Sequence, residues 1–103
     1  MRPVLQGDVI AAAQAVLRLP EAERPRALRV MMTRAAAADA YRKRLGRAHP
    51  LWGNGSLMAV ARRGPLPPAP ALSDREFCRC LALVYETLIA WRAERAALSR
   101  RRS

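Results

Sequence analysis

One stretch, SDREFCRCLALVYETLIAWRAERAALS from Ser73 to Ser99, limits what this chain can fold into more than any other. Ser73 followed three residues later by Glu76 has the spacing of a reciprocal capping box ahead of an apolar run. Phe77, Leu81, Val84, Leu88, Trp91 and Leu98 then recur at steps of four and three, with Arg95 in the one vacant step. That spacing predicts a continuous helical stripe. Cys78, Ala82, Tyr85, Ile89, Ala93 and Ala96 form a second stripe beside it, and together they make an apolar face wider than a surface helix needs. A helix of about 26 residues is roughly 39 Å long, more than a small domain covers. The expectation is that part of it packs on its own chain and part on another subunit. The alternative is a core helix within a compact monomer.

A chain of 103 residues makes one domain, burying roughly 60–65 % of its unfolded surface. An apolar fraction of 51 % excludes wholesale disorder. No run reaches the ~18 uncharged apolar residues of a membrane span, and the first residues lack a signal-peptide layout. The expectation is a cytoplasmic chain without a membrane partner. Cys78 and Cys80 are the only cysteines. Two positions apart on a helix, they point to different sides and cannot bridge each other. Cys78 reads as a small core residue in a reducing compartment.

The net charge is +11 and the pI about 11.6, which points to a polyanionic partner. Of the nineteen basic residues all but Lys43 are arginine. With the wealth of Ala and Pro, that looks like the codon preference of a GC-rich genome. It accounts for the kind of base used but not for the shortage of acids.

Read in order, residues 1–7 are an extended lead. Asp8 is the expected N-cap of a first helix over 8–19, whose face is Val9, Ile10, Ala13, Val16 and Leu17, and Pro20 stops it. A long helix follows over 22–45. Glu21 and Glu23 lie near its start, Leu28, Met31, Met32, Ala35, Ala38 and Leu45 on its inner face, and Gly46 at its stop. The run Ala35 to Ala38 invites close approach of a partner helix. Arg42, Lys43 and Arg44 fill the last turn, where they complement the helix dipole or, with Arg47, contact phosphate. These two helices do not read as a helix-turn-helix. The second is too long for a recognition helix and opens without a polar base-reading set. Residues 46–72 hold a loop, a short helix from the cap Ser56 to Arg63, and the proline-rich spacer GPLPPAPAL, about 25–28 Å if extended. Trp52, set between breakers, is expected to fold back over the core, and His49 is expected to be a turn residue. The last helix spans 74–99, with a basic tail over 100–103. The fold class expected is all-α: a long antiparallel helical hairpin with short additional helices, in an oligomer.

No catalytic constellation is visible. The eight acids are scattered, the single His has no partner, and GNGS lacks the spacing and the lysine of a phosphate loop. Neither enzyme activity, nor a metal, nor a cofactor is expected. The residues placed for DNA contact are Arg42, Lys43, Arg44, Arg47, Arg62, Arg63, Arg100, Arg101 and Arg102. Those placed for self-association are Phe77, Leu81, Val84, Leu88 and Trp91, unless they serve the chain's own core. A basic adaptor that grips an acidic protein and never touches DNA is the competing expectation.

Three stretches, MRPVLQGDVIAAAQAVL, RAHPLWGNGSLMA and FCRCLALVYETLIAWR, resemble the small terminase subunit of Rhodobacter-type gene transfer agents, and the likeness covers nearly the whole chain. The resemblance implies a helical homo-oligomer, a ring, that helps a large terminase subunit, an ATPase and nuclease, feed double-stranded DNA into a phage-like particle. Phage small terminases pair a helical-hairpin oligomerisation region with an N-terminal DNA-recognition domain. This chain is too short for a separate domain of that kind, and its opening helices do not read as one. Weak binding without sequence specificity is therefore expected, which suits packaging of host DNA without choice of site.

Overall fold

Alanine side chains let helices approach closely, and the run AAAQA in the first helix is what the molecule is built around. The structure, a computed structural model, describes residues 1–102. Its helices are α1 (Gln6–Leu17), a 3₁₀ turn (Glu21–Glu23), α2 (Arg24–Leu45), α3 (Leu57–Ala61) and α4 (Arg75–Arg102). Among the described residues there is no strand, only an isolated bridge between His49 and Gly53. The fold is all-α.

Ala11, Ala12, Ala13, Ala15 and Val16 are all buried, so α1 is enclosed on nearly every side by α2, α3 and α4. A helix apolar all round belongs inside. The hub is therefore this short helix, not the long last one. Val9, Ala12, Ala13 and Val16 meet Leu28 and Met32 of α2, Leu57 of α3, and Phe77, Cys80 and Val84 of α4 in one core.

α1 starts two residues earlier than its expected cap. Asp8 sits inside the first turn, where one carboxylate oxygen accepts from the Leu5 amide at 2.8 Å and the other from the Met58 amide at 2.9 Å. One buried acid thus holds both its own helix start and the start of α3. α2 ends where expected, at Gly46 with φ +72°, the left-handed stop that glycine adopts without a steric cost. Ser56 caps α3 by accepting from the Ala59 amide at 3.1 Å. At the start of α4 the cap is Asp74, whose carboxylate accepts from the Phe77 amide at 2.8 Å. The expected box on Ser73 does not form, because Glu76 turns instead to Arg24 at 3.1 Å and Arg79 at 3.6 Å. Helix α4 also continues to Arg102, so Arg100–Arg102 are its last turn and not a separate tail. Ser103 lies outside the described residues.

The direction of α4 differs from expectation. Its start meets the start of α2, through Arg24 and Glu76. Farther along, Trp91 and Arg95 of α4 face Ala36, Ala40 and Lys43 of α2. The two long helices therefore run in the same sense and do not form the antiparallel hairpin. The chain manages this because α3 and the proline-rich spacer lead it back along α1. Met58 lies beside Gly7 at the start of α1, and Gln14 and Arg18 farther on donate to the carbonyls of Pro67 and Pro65. Helix α1 is antiparallel to both long helices.

The buried line on α4 is Phe77, Cys80, Val84 and Thr87, with Leu81, Leu88 and Trp91 partly buried against the same core. Two expectations are corrected here. Cys80 is the core thiol and Cys78 the exposed one. Phe77 and Val84, 1 % and 0 % exposed, together with Leu81, Leu88 and Trp91, face their own chain rather than another copy. The line outside is the second stripe: Cys78, Ala82, Tyr85, Ile89, Ala93 and Ala96 are all exposed, Ile89 at 69 %.

Candidate nucleic-acid interface

Helix C-termini present unpaired carbonyls and favour cations near them. Helices α2 and α4 run in the same sense, and each carries its bases toward its C-terminus. Arg42, Lys43, Arg44 and Arg47 end α2. Arg92 and Arg95 lead into Arg100, Arg101 and Arg102 on α4, and Arg95 lines the same groove as Lys43. Arg44, Arg47 and Arg100–Arg102 are exposed.

Two acids stand among these bases, and both are engaged. Asp39, 4 % exposed, accepts from Arg42 at 2.9 Å and pairs with Lys43 at 3.2 Å. Burial alone would push its carboxyl up, but the hydrogen bonds from Arg42 and Lys43 outweigh that and hold it below the usual 3.8. The Met1 ammonium lies 3.7 Å away, yet desolvation keeps its own pKa below 8.0 against the pull of Asp39. The two side chains stabilise the carboxylate most, and the terminal amine adds a smaller attraction. Glu94 is held by two hydrogen bonds of 2.9 Å from Arg29, which lower its pKa.

The nine residues expected to touch DNA are not one patch. Arg62 and Arg63 follow α3 and are exposed, but Arg62 shares a cleft with Gln14 and Gly64, beside Arg18 and toward the far end of α1. The other seven lie where α2 and α4 finish. At the opposite end, Glu21 and Glu86 lie with Arg24 and Arg79 in a cleft of about 490 Å³ between the starts of α2 and α4, so charge there is mixed.

Trp52 does not plug the core. Its indole stacks on His49, with ring centroids 4.7 Å apart and planes 6° from parallel. Tyr41 meets the imidazole edge-on at 4.9 Å, and the Arg34 guanidinium lies 5.7 Å from the Trp52 ring. His49 Nδ1 accepts from the amides of Leu51 and Trp52 at 3.0 and 3.1 Å, which closes the turn. The loop is thereby pinned to α2.

Arg24 is a structural arginine that sequence reasoning missed. Its guanidinium is buried and donates to the carbonyls of Val16, Leu17 and Leu19, each at 3.1 Å, and to Glu76. It completes the open end of α1. The only sequence signal for it is its place just after a helix stop and turn.

Residues 2–88 match the family described as Domain of unknown function (DUF7742). The chain belongs to that family. The DUF7742 match takes in α1, α2, α3 and the first half of α4 but leaves out Arg92, Arg95 and Arg100–Arg102. No curated protein and no solved structure matches the chain. Among the described residues of this DUF7742 protein, no helix is long and apolar enough to cross a membrane.

Proposed function

We propose that this chain is a small-terminase-like DNA-packaging subunit that holds duplex DNA by its phosphate backbone, weakly and without sequence preference. In this role it assists a large terminase in loading DNA into a phage-like particle. What supports the reading is that α2 and α4, running in the same sense, both finish in exposed bases, Arg44 and Arg47 at the end of one and Arg100, Arg101 and Arg102 on the other. The acids nearest them, Asp39 and Glu94, are already paired with other residues. Arginines on helix ends supply an electrostatic, sequence-independent grip. The likeness to small terminases supplies the biological setting. In that setting the chain self-associates, and the exposed stripe around Tyr85 and Ile89 is the surface of α4 left for it.

The test is anisotropy of labelled random duplex at about 50 and about 200 mM salt. Binding at low salt that weakens at least roughly tenfold at high salt, equally for unrelated sequences, is expected. Replacing Arg44, Arg47 and Arg100–Arg102 with Gln removes most of it, and Arg62→Gln with Arg63→Gln removes less. No binding at low salt would sink the reading in favour of the adaptor, and strong preference for one sequence would sink the non-specific mechanism.

A further inference from the structure

Between the later halves of α2 and α4 lies an open groove of about 550 Å³ whose chemistry does not suit phosphate. Its floor is Ala36, Ala37 and Ala40 of α2 with Trp91 of α4, and its rim carries Lys43 and Arg95. We infer that this groove is the seat of an acidic amphipathic helix from a protein partner, which lays its apolar side on the alanine floor and its carboxylates between Lys43 and Arg95.

Four features argue for that occupant. Ala37 and Ala40 are exposed and Ala36 partly so. Side chains this small, one turn apart on one face, leave room for an incoming helix to approach the α2 backbone closely, which is how helix-in-groove recognition works. The lining carries three cations, the Met1 ammonium, Lys43 and Arg95, against one acid, Asp39, which is already bonded to Arg42 and Lys43 and so leaves the groove net positive. An acidic partner therefore meets no free carboxylate. Arg95 is not a loose tether: its guanidinium lies over the Trp91 ring at 4.4 Å, which fixes the cation at the groove edge and costs a ligand less ordering entropy. Finally, a duplex is too wide and too polar to profit from an apolar floor, whereas a single helix about 10 Å across gains from both floor and rim.

This inference goes beyond the DNA reading and stands independently of it, because the floor contributes no charge to phosphate binding. The probe is a fluorescein-labelled synthetic peptide of about six turns, with Leu and Ala on one face and Glu on the rest. A scrambled peptide of the same composition and a random duplex are the comparisons. The amphipathic peptide is expected to bind the full chain at least roughly tenfold more tightly than its scramble. The double variant Ala37→Gln, Ala40→Gln keeps the net charge and, at exposed positions, gives up only a little helix propensity per site, so the fold should stay intact, checked by circular dichroism. It is expected to weaken the peptide at least roughly tenfold and the duplex less than about twofold. Three outcomes would overturn the inference: equal binding of the scramble, peptide affinity unmoved by the double variant, or duplex affinity falling with it. A native mass of two chains that the double variant converts to one would also overturn it, by showing that a second copy fills the groove.

Discussion

Gly55 lies directly on the backbone of Asp39: a β-carbon built at Gly55 would stand 2.7 Å from both Cα and Cβ of Asp39. The glycine has φ +95°, and its carbonyl accepts from the Arg2 amide at 2.8 Å. The close approach that seats the loop on α2 also brings the N-terminal segment against Asp39.

Gly55→Ala therefore combines a strained dihedral with a clash against backbone and should destabilise the fold by about 2 kcal/mol or more. Gly46 has a positive φ as well, but a β-carbon there meets nothing within 4 Å, so Gly46→Ala should cost only about 1 kcal/mol. Urea unfolding of the two variants side by side checks the ordering. Equal losses would remove the contact argument.

Arg24→Met removes the side-chain donor from the carbonyls of Leu17, Leu19 and Val16, of which Val16 keeps the Leu19 amide at 2.9 Å. A loss of about 2–4 kcal/mol is expected. Lysine at this position keeps the charge but cannot reach all four acceptors, and should fall between. Glu76→Gln, at a half-exposed carboxylate, should cost about 1 kcal/mol or less. Thermal unfolding of the three variants separates capping of α1 from the ion pair.

Asp39 gives a pH signature with a definite sign. Its carboxyl is held below 3.8 in the folded chain, so the folded state binds this proton more weakly than the unfolded state does. The stabilisation is complete above the unfolded carboxyl's value of 3.8 and is lost as the pH falls from there through the lower folded value. Asp39→Asn should lower stability at neutral pH and flatten that acid limb. An acid limb of unchanged steepness in the variant would show that other carboxylates govern it.

The two thiols should react in separate phases. Cys78 is exposed, with its Sγ 2.7 Å from the Leu72 carbonyl oxygen. Cys80 is buried, and burial pushes its pKa up, opposed by the nearby Arg24 charge. A disulfide reagent at neutral pH should label one thiol per chain promptly and the second only as the chain opens. Cys78→Ser should abolish the prompt phase, whereas two prompt thiols would contradict the placement of Phe77 and Cys80 on the same buried line.

What the residues announced were the punctuation and the element types. Gly46 and Ser56 have local physics that does not depend on the rest of the fold, and the structure uses both as their chemistry predicts. Neighbouring stripes on α4 were harder, because Phe77-Leu81-Val84 and Phe77-Cys80-Val84 differ by one position, and only the contacts of α1 decide between them. The central role of α1 was hidden because alanine contributes little hydropathy contrast: a buried AAAQA and an exposed one look alike along the chain. Arg24 was one arginine among many, and its task depends on carbonyls that only the turn between α1 and α2 brings near it. The bases themselves could be counted along the chain, but the separation of Arg62 and Arg63 from those on α2 and α4 follows from the packing of α3 and the proline-rich spacer along α1, which no local pattern encodes.

That shared course has an electrical consequence. With mixed charge where the long helices begin and guanidinium groups where they finish, the side-chain charges set up a permanent moment along the molecule, only partly offset by the two helix dipoles, whose negative ends lie among the guanidinium groups. In the field of any highly negative surface it turns before it touches, and arrives end-on.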